Sequence, residues 1–285
     1  MKLITWNIQW GRGIDGRVDL GRIVRTARGI ADFDVLCLQE IADNFPGLDG
    51  NDDRDQFAEL DRLLAGYTGI HGFGLDVAGE GSRRRRFGNA IYSRYDVVSA
   101  RRHALPWPPE PGLSTMPRVA VEVTVQAPLG ALRIATTHLE YYSDAQRRAQ
   151  ARRLRLLHEE ACQRAAAPPP VQPDGNETFR PSPQTGRAIL TGDFNFPPDD
   201  PAYAEVLRAM AGGIPAYRDA WRLVNHHQPH TPTFCVHDQR YSKSPYCCDF
   251  VFVSEPLAAR VHSLAVDSDT QASDHQPMLL ELDDR

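Results

Sequence analysis

Long hydrophobic runs, a basic charge excess and internal repeats are all missing from this sequence. No apolar run among its 285 residues approaches the roughly 20 residues that a membrane-spanning helix needs. The formal net charge is -5, which argues against a protein that coats nucleic acid over its whole surface. The N-terminal residues begin as a strand, without the apolar segment of a signal peptide. We therefore expect an ordinary globular protein with no transmembrane segment.

Cysteine is also scarce, and its spacing lacks the Cys-x-x-Cys pairs of common zinc sites. Five scattered cysteines, some within apolar strands, are typical of reduced thiols and favour a cytoplasmic protein. The segment 226–248 combines cysteines with histidines, so a structural zinc site is an alternative to a loop that borders the active site and brings one histidine to the substrate. The residues concerned are His226, His227, His230, His237, Cys235, Cys247 and Cys248.

The length and composition fit one large domain with a substantial core. Residues 166–186 are rich in proline and show no periodicity, which indicates a loop. Because a strand-like pattern resumes at Ala188, we interpret this loop as an insertion within a single domain that spans residues 1–285. Strands and helices are mixed along the chain, and this mixture predicts an α/β sandwich of packed layers.

The periodicity of apolar residues predicts the individual elements. Asp19 is a candidate N-cap for the first helix, and the longest helix is rich in arginine and alanine. Helices are expected at 20–30, 55–64, 144–166 and 202–210. Strands are expected at 2–8, 34–39, 89–93, 97–103, 119–126, 132–138, 188–191, 248–253, 261–266 and 277–282.

The most informative segment is Gly192-Asp193-Phe194-Asn195, which follows an apolar strand. Residues i and i+2 of a strand point to the same side, so a carboxylate and an amide oxygen lie side by side at this strand end. Oxygen ligands of this kind suit a hard cation such as Mg2+. The segment Ser273-Asp274-His275 precedes the last strand and would add a further ligand and a group that moves protons. Together the two segments outline a metal-dependent phosphate-ester hydrolase.

Four further polar residues lie at strand ends and are weak signals individually. Glu40 follows the buried run 35–39 and is either a metal ligand or a solvated carboxylate. Asn7 and Asp249 have ordinary alternatives as a turn residue and a strand-initial residue, although a carboxylate at 249 would also orient an imidazole. His138 is a candidate phosphate contact or general acid, whereas a satisfied core histidine is the commoner case. Because the strand ends of a sandwich converge on one rim, a single site explains all four.

The order of these motifs resembles that of the endonuclease/exonuclease/phosphatase superfamily, which includes deoxyribonuclease I. The resemblance extends over nearly the whole chain. It implies two packed mixed β-sheets flanked by helices, with the site on the rim between them, and a Mg2+ cofactor that Mn2+ can replace. The motifs that carry it are Thr5-Trp6-Asn7, Leu38-Gln39-Glu40, Gly88-Asn89-Ala90-Ile91, Thr137-His138-Leu139, Gly192-Asp193-Phe194-Asn195 and Ser273-Asp274-His275.

The resemblance also implies which residues bind the metal. Glu40 is expected to be the principal Mg2+ ligand, with Asn7 and Asp274 close by. Asp193 and Asn195 are expected to hold the attacking water, the phosphate or a second metal. The expected chemistry is in-line attack of water on phosphorus, with the metal neutralising the developing charge.

The remaining implied roles concern protons and the phosphate group. His275, oriented by Asp249, is expected to be the catalytic base or a phosphate-polarising cation. His138 is expected to contact the phosphate or to act as general acid. Asn89 and Arg118 are expected to bind substrate.

Two departures from the family pattern limit the resemblance. The segment that follows His138 lacks the Asn-x-Tyr-x-Pro-Asn pattern of abasic-site endonucleases, which argues against that branch. Cys247 and Cys248 precede Asp249 where many members carry Arg-Ile, so local packing there is expected to differ.

The basic run at 82–86 is placed in a loop, where it either clamps a phosphate-rich ligand or is merely solvated.

The sequence thus predicts a Mg2+-dependent hydrolase of phosphate esters, with a nuclease-like phosphodiesterase as the first interpretation. A phosphatase and a phosphodiesterase of phospholipids or small molecules are the alternatives on the same fold. A non-catalytic binding module ranks lower, because every core site residue is present. We expect a monomer whose partner is a phosphate-ester substrate, with nucleic acid as one such substrate.

Overall fold

Two six-stranded β-sheets pack face to face and carry helices on both outer faces. The computed structural model describes residues 1–168, 170, 177–226 and 228–284. The strands are β1 (Lys2–Asn7), β2 (Val35–Asp43), β3 (Thr68–Ala78), β4 (Arg84–Ser93), β5 (Val97–Ala104), β6 (Val119–Ala127), β7 (Gly130–His138), β8 (Ala188–Asp193), β9 (Tyr217–Asp219), β10 (Asp249–Ser254), β11 (Val261–Val266) and β12 (Met278–Leu282). The helices are α1 (Leu20–Ile30), α2 (Gln56–Leu63), α3 (Asp144–Ala166), α4 (Pro201–Leu207), α5 (Ala220–Asn225) and α6 (Glu255–Ala258).

The strand order brings the functional ends of several strands to one rim. The first sheet has the order β11-β12-β1-β2-β4-β3, and the second has the order β5-β6-β7-β8-β10-β9. The pairs β1/β2 and β7/β8 are parallel, so their carboxyl ends point the same way within each sheet. β10 and β12 run antiparallel to β8 and β1, so the residues at or before their beginnings lie at those same ends.

Three apolar layers hold the sandwich together. The central layer lies between the sheets and includes Leu3, Val123 and Val251. One outer layer packs α1 and α2 on the first sheet, and the other packs α3 and α4 on the second sheet. β1 and β2 are therefore buried on both faces, which explains why their sequences are nearly continuous apolar runs rather than alternating patterns.

A buried ion pair lies within the second sheet, away from the rim. The Glu122 carboxylate on β6 accepts from Arg133 Nε on β7 at 3.2 Å. Burial alone would raise the pKa of Glu122, but the neighbouring His103, Arg133 and Arg101 outweigh it and lower this pKa to about 2. The pair therefore depends on an ionised glutamate, and it makes stability depend on pH.

The structure confirms the predicted sandwich and several elements. α1 and α3 begin and end where they were predicted, and the Asp19 side chain caps α1 by accepting from the Arg22 backbone N–H at 2.8 Å. The five cysteines are free and buried. Among the described helices, none is both long and apolar enough to cross a bilayer.

The prediction that β2 ends before Glu40 is wrong, because the strand continues to Asp43. Its pairing with β4 shifts between Leu38 and Ile41, and Glu40 has a φ of 61°. This bulge adds an unpaired residue to the strand and turns its side chain toward the rim. A side-chain pattern alone does not reveal such a bulge.

The prediction of a loop at 82–86 is wrong for residues 84–86, whereas residues 82 and 83 lie in the turn before the strand. β4 begins at Arg84 and pairs with β3, a strand that the sequence did not predict. The two strands form a ribbon whose outer part is largely exposed, so arginine replaces the apolar residues that mark a buried strand. The short elements β9, α5 and α6 were also missed. The proline-rich insertion falls partly outside the described residues, and His227 lies outside them.

Candidate active site

A pocket of about 240 Å³ opens on the rim where the strand ends converge. Glu40 reaches it from the bulge in β2, His138 from the end of β7 and Asp193 from the end of β8. The loop before β12 contributes Asp274 and His275. The structure therefore brings these five residues together, although Glu40 and His275 are 235 positions apart in the chain (40 to 275).

Asn7 connects two of the carboxylates. Its Nδ2 donates to Glu40 Oε1 at 3.1 Å and to Asp193 Oδ2 at 2.9 Å. Its Oδ1 accepts from the Gln9 backbone N–H at 3.1 Å. The side chain is fully buried, so these bonds fix the two carboxylates relative to each other.

Asp274 is held by a second neutral amide. Gln9 Nε2 donates to Asp274 Oδ2 at 2.6 Å. Ser273 supports the same loop, because its hydroxyl donates to the Asn7 carbonyl at 2.8 Å. Burial raises the pKa of Asp274 to about 6, since desolvation disfavours the charged form.

His275 lies between two carboxylates. Its Nδ1 is 2.9 Å from Asp249 Oδ2, and its Nε2 is 3.6 Å from Asp193 Oδ2. Burial would lower its pKa, but Asp249, Asp193 and Asp274 outweigh burial and hold the pKa well above the ordinary value. The ring is therefore a cationic donor whose orientation depends on Asp249.

His138 has the opposite electrostatic character. Burial, together with the nearby charges of Arg118 and His275, lowers its pKa well below the ordinary value. Its ring nitrogens lie 3.7 Å from Glu40 Oε1 and 3.4 Å from Asp193 Oδ2. A neutral imidazole here donates a hydrogen bond without adding positive charge to the pocket.

Asp193 and Asn195 occupy a tight turn at the end of β8. The Asn195 backbone N–H donates to Asp193 Oδ1 at 2.9 Å, and Asn195 Nδ2 donates to the Leu139 carbonyl at 2.9 Å. Gly192 has a φ of 136°, and a Cβ at that position would collide with the Thr137 carbonyl oxygen. The glycine therefore lets β8 approach β7 closely, just before the two polar residues.

The acidic side chains fit a hard divalent cation. Glu40, Asp193 and Asp274 share the pocket, and burial raises the pKa of each, to about 6 for both aspartates. Carboxylate oxygens are the preferred protein ligands of Mg2+, and a bound cation would stabilise the ionised forms that burial disfavours. Glu40, His138 and Asp193 place ligand atoms within 4.8 Å of one another.

The two predicted substrate-binding residues have different positions. Arg118 lines the pocket, is buried, and pairs with Glu140 through Nε at 3.3 Å. Asn89 lies behind it and does not line this pocket. Its Nδ2 donates across the sandwich to the Val119 carbonyl at 3.0 Å, so this bond joins the two sheets.

Aromatic residues form much of the rim, and the sequence analysis did not identify them. Tyr142 and Tyr241 are 64% and 49% exposed. The Phe234 ring lies 4.5 Å from the His275 ring, centroid to centroid. Tyr142 is far along the chain from Phe234 and Tyr241, which share the 226–248 segment, so no single local pattern groups them. The aromatic lining residues are Trp10, Phe87, Tyr141, Tyr142, Phe234 and Tyr241.

The expectation that a histidine of the 226–248 segment reaches the substrate gains no support from the described residues. His230 pairs with Asp219 at 2.6 Å, and His237 contacts the Ser268 carbonyl at 2.7 Å. Neither they nor His226 line the pocket, whereas the aromatic side chains of the same segment do. In the described part of the chain these histidines form no group of metal ligands with the cysteines.

Comparisons with known proteins agree with this geometry. The model of the Endonuclease/Exonuclease/phosphatase family matches residues 4–275. An endonuclease/exonuclease/phosphatase from Beutenbergia cavernae is 24% identical, with a TM-score of 0.68 over 99% of this chain and 71% of that chain. A search of curated proteins finds no match.

Two further solved structures come from proteins with named activities. A mannosyl-6-phosphatase from Bacteroides thetaiotaomicron is 20% identical, with a TM-score of 0.66. A 3' phosphatase from Neisseria, bound to a product DNA hairpin, is 21% identical, with a TM-score of 0.59. Each similarity covers 99% of this chain and 99% of the other. At these identities the likeness establishes the fold.

Two packed sheets that carry buried carboxylates and a carboxylate–histidine pair on one rim define a phosphoesterase of the deoxyribonuclease I-like class. The match over residues 4–275 then assigns the chain, which belongs to the endonuclease/exonuclease/phosphatase family. The protein is accordingly a hydrolytic phosphoesterase.

Proposed function

We propose that this protein is a Mg2+-dependent phosphodiesterase of nuclease-like type, working as a single-domain monomer, with Mn2+ as a substitute metal. The observation that carries the proposal is the convergence of Glu40, Asp193 and Asp274 with the histidines 138 and 275 in one pocket. A binding module would not need buried carboxylates at the cost of desolvation.

Glu40 and Asp274 are proposed to hold the metal, and Asn7 and Gln9 to hold those carboxylates in place. The Asn7 amide donates to carboxylates on its nitrogen side, which supports a positioning role beside the metal. When bound, the metal supplies positive charge that polarises the phosphoryl group and offsets the charge of the transition state.

The remaining residues are proposed to orient the attacking water and to bind the phosphate. Asp193 and Asn195 orient the attacking water, and Asp193 Oδ2 accepts its proton. His275 donates from Nε2 to a phosphoryl oxygen, while Asp249 fixes the ring through Nδ1. His138, held neutral, donates a second hydrogen bond to the phosphate. Donors placed in advance at a developing charge are an effective form of catalysis.

The aromatic rim supports a substrate whose bases are accessible. Exposed rings such as those of Tyr142 and Tyr241 stack on nucleobases, and each such contact contributes about 1–3 kcal/mol. A base inside a duplex does not present its face to such a ring. We therefore propose single-stranded or terminal nucleotides as the substrate class.

A phosphomonoesterase, or a phosphodiesterase of small head groups, is the second candidate, and the charge distribution favours it. The arginines near the rim already have partners, which leaves little free positive charge for a long polyanion. Arg83 pairs with Asp53 at 2.7 Å, Arg84 pairs with Asp76 at 2.8 Å, and Arg86 lies 3.8 Å from Asp43.

Hydrolysis of a generic aryl phosphodiester tests the proposal. Wild type should hydrolyse the substrate in the presence of Mg2+ or Mn2+, and EDTA should abolish this activity. His275→Ala should lose turnover while remaining folded, which circular dichroism checks. His262→Ala is the matched control, because His262 is largely exposed, pairs with the carboxylate of Asp283 and does not line the pocket. Turnover by His275→Ala at the level of this control would refute the assignment of the site.

Substrate panels then separate the two candidates. Oligonucleotides should be cleaved with a rate that falls as salt rises, with a log–log slope of about 0.7 per phosphate contacted for single strands. A phosphate-monoester panel, tested alongside, should show no turnover. Activity confined to monoesters or head groups, with a weak salt dependence, would favour the second candidate.

A further inference from the structure

Cys248 lies beside the catalytic pocket, at a position where the family resemblance had led us to expect isoleucine. Its side chain is fully buried just before β10. Ligand atoms of Asp193, Cys248 and His275 all lie within 4.8 Å of one another. This is one of two such groups among the described residues, and the other is the cluster around Glu40. Asp193 belongs to both.

One pair of these atoms has the separation that tetrahedral zinc requires. With zinc–nitrogen, zinc–oxygen and zinc–sulfur distances of about 2.0–2.3 Å, ligand atoms are separated by about 3.3–3.6 Å. His275 Nε2 and Asp193 Oδ2 are 3.6 Å apart. His275 already presents Nδ1 to Asp249, which is the carboxylate–histidine arrangement that commonly supports a metal-binding imidazole.

The two groups differ in the metal that they prefer. The Glu40 side of the pocket offers oxygen ligands, which suit Mg2+. The Cys248 side offers a sulfur, and thiolate ligands favour zinc over magnesium. Asp193 and His275 line the open pocket, whereas Cys248 is fully buried beside them and its Sγ donates to Asp249 Oδ2 at 3.6 Å.

We propose that Asp193, Cys248 and His275 form an inhibitory zinc site. Zinc binds the Cys248 sulfur, an Asp193 oxygen and His275 Nε2, and leaves one position for water. The thiol proton and any proton on His275 Nε2 are released to solvent. The inhibitory effect rests on the proposed function, because zinc takes up the two groups that hold the water and the phosphate. The binding of zinc itself does not depend on the proposed function.

Cobalt(II) titration of the full-length protein tests the binding directly. Cobalt occupies zinc sites and gives a near-ultraviolet charge-transfer band when a thiolate is a ligand. Wild type should show this band at one equivalent and lose it on addition of zinc. Cys248→Ser should lack the band and bind zinc at least about tenfold more weakly in competition with a chromophoric chelator.

Cys247→Ser is the matched control. Cys247 is also buried, and its Sγ donates to the Asp249 carbonyl at 3.3 Å, so a serine keeps that bond. This variant should keep both the band and the zinc affinity. Thermal unfolding checks that each variant is folded, and Cys248→Ala replaces Cys248→Ser if the hydroxyl is not tolerated. Absence of the band in wild type, or its persistence without Cys248, would overturn the proposal.

Inhibition is measured separately. At a fixed Mg2+ concentration, zinc should inhibit wild type, and the half-inhibiting concentration should rise at least about tenfold in the Cys248 variant relative to its own zinc-free rate. Equal inhibition of both would show that zinc acts at the Glu40 side and would overturn the inhibitory role. If no substrate is turned over, the proposed function fails while the cobalt titration still decides the site.

Discussion

Asp249→Asn isolates the contribution of a single charge to the proposed chemistry. Asp249 is buried, and its Oδ2 lies 2.9 Å from His275 Nδ1. Asparagine has nearly the same shape, and its amide oxygen can still accept from Nδ1–H. The substitution therefore keeps the hydrogen bond and removes the negative charge that holds the His275 pKa high.

The expected loss follows from the two kinds of hydrogen bond. A bond to a charged group contributes about 1.5–3 kcal/mol, and a neutral bond about 0.5–1.5 kcal/mol. The difference of about 1–2 kcal/mol corresponds to a roughly 5- to 30-fold lower rate. Removing the imidazole itself, in His275→Ala, should cost about 100- to 1,000-fold, because a preorganised donor to the phosphoryl oxygen is lost.

A double-mutant cycle measures whether Asp249 acts through His275. The rate constant for an aryl phosphodiester is determined for wild type, for both single variants and for the double variant. Once His275 is absent, Asp249→Asn should change the rate little, since its partner is gone. Independent, multiplying losses would show that Asp249 acts in another way. A loss from Asp249→Asn as large as that from His275→Ala would refute the positioning role.

Three further predictions test the metal site, the backbone and the core. Glu40→Gln should raise the Mg2+ concentration for half-maximal activity at least about tenfold; a metal titration with an unchanged midpoint would remove Glu40 from the site. Gly192→Ala should lower the unfolding temperature, because its methyl group collides with the Thr137 carbonyl; calorimetry showing no change would contradict this. Glu122→Gln should lower the free energy of unfolding by about 3 kcal/mol at pH 7 and by less at pH 3. The reason is that the depressed pKa of Glu122 stabilises the fold above pH 4.5, and this contribution is lost as pH falls toward 2. Urea unfolding in which the variant loses the same free energy of unfolding at both pH values would contradict this.

Local chemistry explains which parts of the fold could be predicted from the sequence. α1 has an aspartate cap and an apolar stripe, and α3 has long helical periodicity, so both were placed correctly. β3 was missed because it contains three glycines and is half-exposed along most of its length. Its partner β4 begins with arginines because this part of the two-stranded ribbon is also exposed. Edge ribbons of this kind are stabilised by cross-strand pairs, which only the fold reveals.

The candidate site divides in the same way. The candidate residues at strand ends could be predicted for two reasons. The end of a strand is recognisable in the local sequence, and the order of these motifs along the chain resembles that of a known family. Gln9 could not, since its contact with Asp274 joins residues 265 positions apart and depends on the left-handed backbone at Gln9. The aromatic rim is assembled from distant segments, one of them the strand β4 that carries Phe87, and no spacing in the sequence relates Tyr142 to Tyr241.

The choice of neutral amides around the carboxylates has an electrostatic consequence. Asn7 and Gln9 orient Glu40, Asp193 and Asp274 without cancelling their charge.

Arginines in the same positions would make stronger bonds but would neutralise the pocket. The nearby arginines are instead directed elsewhere: Arg118 pairs with Glu140, and Arg12 pairs with Asp49 at 2.8 Å. The carboxylates therefore retain their negative charge at the cost of burial, and a bound divalent cation is what would offset that cost.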